Sequence, residues 1–217
     1  MIAINAPTYI RLRDQMRSDI VSGVWPLGSH VTMAQLSEHY QVSANPVREA
    51  LLQLHGEGAV DMRMNRGAVI PTIDAKYVED LYRLRGAVQC MLARDAARLA
   101  TNSQIEQMQA LSSEYESFAQ SADIARCIEA NRRLHVFIDE IGNNQFAGEF
   151  LQGRASLVDA FRRAAGYGAN RLEIVVKQHR KLVNAIAAKN EERAAKASLE
   201  HTQSARLDLL KMLDRRA

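Results

Sequence analysis

Three histidines in the C-terminal part of this chain, His135, His179 and His201, fall inside helical patterns rather than loops, each on a different expected helix. Asn131 stands four residues before His135, so the two side chains leave the same side of one helix. Imidazoles converging from three helices, with an oxygen ligand beside them, have the chemistry to hold Zn²⁺ or Ni²⁺ in a bundle interior. Spacing alone leaves the plainer alternative open, because a single histidine is more often a surface or satisfied core residue. A second set of residues lies near the N-terminus. Ser43, Asn45 and Arg48 open a segment whose apolar stripe is Val47, Ala50, Leu51 and Leu54. Polar groups at the start of a helix with an apolar back are what reading the DNA major groove requires. Arg48, one turn in, can reach a base edge or a phosphate. Ser43 is equally suited to capping the helix.

The elements that must carry these residues differ between the two parts of the chain. Tyr9 to Gly23 has helical apolar spacing and is broken by Trp25-Pro26-Leu27-Gly28. A short helix follows from Thr32, then the tight link Gln41-Val42-Ser43, then a helix from about Asn45 to Glu57 with Pro46 in its first turn. Val60 to Met64 and Ala68 to Ile70 read as two strands joined at Asn65-Arg66-Gly67. Helix, helix, tight turn, helix and hairpin, in that order, make a winged helix-turn-helix over residues 1–73. Arg66, at the hairpin tip beside Gly67, is placed to touch DNA backbone or minor groove.

Beyond Asp74 the strand signals stop. Six helices are expected within residues 74–217, starting near Asp74, Ser103, Ala122, Gln145, Arg171 and Glu191. Short loops between them imply an antiparallel bundle. The fold class is therefore mainly α, a winged helix-turn-helix with a small β-hairpin followed by a six-helix bundle.

Composition excludes more than it identifies. The 217 residues are 47% hydrophobic and 24% charged, ordinary for a globular protein. No apolar run is long enough to span a membrane and no secretory signal opens the chain, so a cytoplasmic location is expected. Cys90 and Cys127 lack metal-ligand spacing and read as small buried hydrophobes. The net charge is +3, yet residues 1–73 hold six arginines and six acids. Charge therefore does not mark a DNA-binding end, and only the placement of particular arginines can.

With these residues in register, the N-terminal part resembles the GntR family of bacterial regulators. The shared positions are Tyr9, Ile20, Gly23, Pro26-Leu27-Gly28-Ser29, Leu36-Ser37, Val42-Ser43, Pro46-Val47-Arg48-Glu49-Ala50-Leu51, Leu54, Glu57-Gly58 and Arg66-Gly67. The resemblance implies DNA contacts at Ser43, Asn45, Arg48 and Gly67. Ala44-Asn45 stands where the family usually has Arg-Thr, and Ala34 where an arginine often contacts DNA, so either a different operator or a modest affinity is expected. The C-terminal part is similar to the FCD domain of the FadR branch, and its helix count to the VanR subgroup. That similarity implies a metal on Asn131, His135, His179 and His201, with Asn131 in the place of the usual aspartate. It also implies a small organic acid as effector, with Arg85 and Gln89 lining the cavity. Gln89 stands where glutamate is common.

The expectation is a homodimeric repressor that binds double-stranded operator DNA and is switched by that acid, with Zn or Ni as cofactor. Two alternative functions are open to such a chain. A metal-dependent hydrolase could activate water on three histidines, but no carboxylate stands beside the set as an obvious general base. No phosphate loop or nucleophile elbow appears either, so the chain is not expected to be an enzyme. A DNA-binding protein without an effector would not need a polar cluster in its larger domain.

Overall fold

The computed structural model describes residues 7–63, 66–153, 155–168 and 170–215. The chain forms two compact units, Met1–Ile73 with Gln152–Ala164, and Asp74–Leu151 with Ala165–Ala217. From sequence, the 152–164 segment was expected to belong with the second region; the structure groups it with the first.

The first unit begins with helix α1 (Thr8–Ser22), strand β1 (His30–Val31), helices α2 (Met33–Tyr40) and α3 (Ala44–Gly56), and strands β2 (Asp61–Arg63) and β3 (Gly67–Val69). Leu12, Met16 and Ile20 of α1, Leu36 of α2, and Val47, Leu51 and Leu54 of α3 close the core between the helices. Each such side chain contributes about 1.5–3 kcal/mol when fully buried. Thr32 caps α2 in a reciprocal box with Gln35, and Gln41 closes it in the left-handed conformation. These two ends fix the angle at which the chain re-enters as α3.

The hairpin expected from sequence is one part of a three-stranded antiparallel sheet ordered β1-β3-β2. Met62 lies opposite Ala68 on one side, and Val31 opposite Ala68 on the other. Gly67 has φ +93, and a Cβ there would lie 2.0 Å from the Val31 carbonyl oxygen. Only glycine allows β1 and the wing to approach this closely.

A polar chain ties α1 to α2 within the same unit. Trp25 Nε1 donates to the Tyr40 hydroxyl (2.7 Å), which donates to Asp19 Oδ2 (2.7 Å), while Gln15 donates to Asp19 Oδ1 (2.9 Å). Burial, with Asp19 adjoining, pushes the Tyr40 hydroxyl well above its usual pKa, so it stays a donor. The first unit also includes most of helix α8 (Ala155–Ala165).

The second unit contains helices α4 (Ala75–Leu99), α5 (Asn102–Gln120), α6 (Ile124–Ile141), α7 (Gln145–Gly153, up to Leu151 in this unit), α9 (Arg171–Ala187) and α10 (Glu191–Asp214). The helix expected over 145–165 is helical on both sides of residue 154, which lies outside the described residues. Asp74 caps α4 as expected, by accepting from Tyr77 N (2.7 Å). The start of α5 differs from expectation. Thr101 and Gln104 form the capping box, not Ser103 and Glu106. Both quartets satisfy the pattern, but the earlier one lets Ala100 end α4 directly before the Thr101 cap. Lys189 reinforces that corner by donating to the Ala100 carbonyl. The core joins Ala93, Ala96 and Ala97 of α4, Met108 of α5, Leu134 and Ile138 of α6, Leu182 and Ile186 of α9, and Ala194 and Ala197 of α10. Alanines on α4 and α10 let these two long helices lie close. Among the described residues, no helix is long and apolar enough to cross a membrane.

Tyr40→Phe is expected to destabilise the first unit by about 1–3 kcal/mol, because it strands the buried Asp19 Oδ2 and Trp25 Nε1 together. Urea unfolding followed by tryptophan fluorescence measures it directly. Wild-type stability in the variant would show that the chain is held by its apolar contacts alone.

Candidate functional site

On the first unit, Ser43 occupies the cap position of α3, but its side chain makes no capping hydrogen bond, leaving the hydroxyl exposed. Asn45 and Arg48 are also exposed on the first turns of α3, where Val47 and Ala50 turn inward. Arg66 is exposed at the turn between β2 and β3, while Gly67 is buried against β1. Neither Arg48 nor Arg66 has a side-chain hydrogen bond or ion pair among the described residues. By contrast, Arg13 and Arg17 of α1 are engaged with Asp14 and Glu57. The acids that balance the charge of residues 1–73 are therefore partly spent on Arg13 and Arg17. That is why a zero charge sum is compatible with a cationic recognition face.

The second unit brings the three histidines together. His135 comes from α6, His179 from α9 and His201 from α10, with one ring nitrogen of each within 4.8 Å of the others. His135 Nε2 and His201 Nε2 are 3.1 Å apart, and His201 Nδ1 is 3.0 Å from Gln178 Oε1. With Gln178 accepting, His201 carries its proton on Nδ1 and turns the Nε2 lone pair toward His135. The two facing nitrogens then share either one proton or one cation. His179 is fully buried, edge-on to the Tyr115 ring, and neither of its nitrogens has a hydrogen-bond partner among the described residues. An unpartnered buried polar group costs about 1–3 kcal/mol. A cation ligated by His179 would remove that cost.

Burial and the neighbouring positive charges keep all three imidazoles neutral. Burial first, then Arg85, lowers His135 to about 3. His179 and His201 lie well below the ordinary histidine range, through burial and then the other imidazoles, with Arg171 acting on both and Arg85 on His201. Neutral imidazole is the form that ligates a metal. Three neutral nitrogens at tetrahedral Zn–N distances would stand about 3.3 Å apart, close to the 3.1 Å of the one pair in contact. The donor set fits a divalent ion.

Asn131 is half-buried one turn before His135 and makes no hydrogen bond among the described residues. Arg85 and Gln89, on successive turns of α4, are joined by Arg85 Nε donating to Gln89 Oε1 (3.2 Å). Thr202, next to His201, donates to the same oxygen at 3.4 Å. The buried Gln89 Nε2 has no partner. The four histidine-site positions and the Arg85–Gln89 pair thus belong to one unit.

Three neighbours of the site were not identified from sequence. Gln178 orients His201, and Arg171, 3% exposed, lies two turns before His179 and donates to Ser204 Oγ (2.5 Å). Asp139 lies one turn after His135 and is only 8% exposed. Its spacing was legible, since i and i+4 share a helix face, but it does not join the three histidines as a ligand group. Burial raises its carboxyl to about 7, against the pull of Arg85. Cys127 is pushed up to about 11 and Cys90 also upward by burial, so both thiols are poor nucleophiles.

Residues 8–70 match the family model described as bacterial regulatory proteins, gntR family, and residues 80–204 match the FCD domain. The chain belongs to the GntR family and carries its FCD domain. It is 24% identical over 188 residues to the HTH-type transcriptional repressor RspR of Escherichia coli, covering 87% of this chain and 82% of that protein. It is 25% identical over 227 residues to the Uxu operon regulator of Haemophilus influenzae, covering 95% and 84%. Among solved structures, it matches E. coli McbR/YncC with TM-score 0.83 at 19% identity, over 98% of this chain and 100% of that one. A putative GntR regulator from Rhodococcus sp. RHA1 matches with TM-score 0.76, also at 19% identity, over 94% and 97%. These likenesses establish the winged helix-turn-helix and helical-domain fold. As a family member this chain is a DNA-binding transcription regulator and not an enzyme.

Protons couple to folding in two opposed senses at the site. The histidines have depressed folded values, so stability is lost as pH falls through their unfolded value near 6.5. Asp139 has a raised folded value, so its contribution is full below about pH 4 and is lost as pH rises through about 7. In metal-free protein, Asp139→Asn is therefore expected to raise Tm at pH 8 while leaving the acid limb in place. Thermal melts between pH 5 and 8.5 read both limbs. A variant whose Tm stays below wild type at pH 8 would contradict the placement of an unpartnered carboxylate at Asp139.

Proposed function

We propose that this regulator is an operator-binding repressor, a homodimer, whose affinity for DNA is set by a small organic acid held beside the histidine cluster. The observation that carries the sensing half is His179, fully buried with both ring nitrogens unpartnered, in van der Waals reach of two further neutral imidazoles. A Zn²⁺ or Ni²⁺ ion on His135, His179 and His201, with Asn131 offering a neutral amide oxygen, completes the site. When bound, the ion supplies a Lewis-acidic point for carboxylate oxygens. Arg85 and the free Gln89 Nε2 supply charge and a donor for the same acid. Replacing a ligand aspartate by Asn131 leaves the site one charge more positive, which favours an anionic effector.

On the DNA side, Ser43, Asn45 and Arg48 read bases from the start of α3, and Arg66 holds backbone or minor groove from the wing, with Gly67 bringing the wing close. A second copy would pair two recognition helices with half-sites one helical turn apart. Leu84 and Met91, seven residues apart on α4, are exposed apolar residues of the kind such a partner covers. The link between β3 and α4 is short, Ile70 to Asp74, so a change in α4 has little slack through which to be lost. A coupling of about 1–3 kcal/mol suffices to switch operator occupancy. The roles of RspR as a repressor and of the Uxu protein as an operon regulator support this reading.

Operator fragments selected from random duplexes, titrated in gel-shift assays, test both halves. Arg48→Ala is expected to weaken binding by about 1–3 kcal/mol. Addition of small carboxylates to Zn²⁺-loaded protein is expected to shift wild-type affinity about 5- to 150-fold. Unchanged affinity in Arg48→Ala would refute the base-reading role. Operator binding indifferent to every carboxylate would refute the switch.

A further inference from the structure

Asp139 is not used by the metal and carboxylate chemistry above, yet it is more than nine-tenths buried and has neither a hydrogen bond nor an ion pair among the described residues. It sits on the His135 face of α6, one turn further along, and α6 packs against α4, the helix that carries Arg85 and Gln89. The charge of Arg85 acts on His135, His201 and Asp139 alike. Arg85 does not close on Asp139. Its Nε is taken by Gln89 and its guanidinium lies over the Tyr82 ring, 5.9 Å from the centroid. The unit therefore presents a guanidinium with no ion pair among the described residues, an unpartnered amide donor on Gln89 and, on the neighbouring helix, a carboxylate with no hydrogen bond among the described residues. A buried carboxylate without a partner is unfavourable, and what satisfies it is a donor.

We infer that the effector carries, besides its carboxylate, a hydrogen-bond-donating ammonium or hydroxyl group, and that Asp139 is the residue that receives this group. The inference rests on the sensor reading above. A simple acid would engage Arg85 and Gln89 and leave Asp139 stranded. An amino acid or a hydroxy acid satisfies both ends at once, and the Asp139 carboxylate rejects a ligand with a second anionic group at that end. Specificity then comes from a site group left unpaired by the wrong ligand, which is the most discriminating kind.

The test uses full-length Zn²⁺-loaded protein and matched sets of acids in titration calorimetry: propionate, lactate and alanine; butyrate, 4-hydroxybutyrate and 4-aminobutyrate; succinate, malate and aspartate. In at least one set, the hydroxyl- or ammonium-bearing member is expected to bind wild type on the order of tenfold more tightly than its donorless parent. Which member wins tells ammonium from hydroxyl. Asp139→Ala is expected to abolish that preference while the parent acid binds as before, which also shows the variant is folded. Equal binding of parents and donor-bearing acids to wild type would overturn the role of Asp139 and leave the sensor reading intact. A preference that survives in Asp139→Ala would do the same. Failure of every acid to bind would overturn the sensor reading itself.

Discussion

Three imidazoles are held out of water in the second unit, and one of them, His179, has no group among the described residues to satisfy either nitrogen. Much of this unit is arranged around that constraint. α6, α9 and α10 each contribute one ring, and the apolar core of these helices with α4 and α5 keeps solvent away. Burial makes the imidazoles neutral, and neutrality makes them ligands rather than charges. An apolar replacement would pack such a core at lower cost. Polar groups kept here at the expense of stability point to a bound partner that repays them.

The electrostatics around the cluster run in one direction. Arg85 and Arg171 both act on the histidines, and Arg171 is anchored by Ser204 with Asp208 3.9 Å away. Two guanidiniums beside neutral nitrogens disfavour a bare cation and favour a cation that arrives with, or recruits, an anion. On the proposed reading, metal and acidic effector would therefore depend on each other. In the first unit the logic is reversed. There, acids neutralise Arg13 and Arg17 while Arg48 and Arg66 are left open to solvent, so placement rather than net charge makes the recognition face.

Much of this was legible in the sequence, for reasons that differ by element. Periodicity showed α1, α2 and α3 and their buried stripes, because Leu36, Val47 and Leu54 recur at helical spacing in short, well-punctuated segments. β1 was invisible: two residues have no period, and His30–Val31 is a strand only because β3 lies beside it. The capping box of α5 was placed two residues late, because Thr101–Gln104 and Ser103–Glu106 satisfy the same local chemistry and only the end of α4 separates them. Of the site, His135, His179 and His201 were found through family resemblance, since spacing within one helix cannot reveal convergence between three. Gln178 and Arg171 had no such signal, because their roles exist only across α9 and α10. Asp139 had a signal, four residues after His135, that metal-ligand patterns do not weigh.

The central claim is that the buried histidines hold a divalent metal, and its most direct test is the metal content of tag-free protein. After stripping and reconstitution with Zn²⁺ or Ni²⁺, elemental analysis together with calorimetric titration should give about one ion per chain. In His179→Ala, at matched folding by circular dichroism, that ion should be lost. No stoichiometric metal in reconstituted wild type, or full metal binding retained by His179→Ala, would contradict the account.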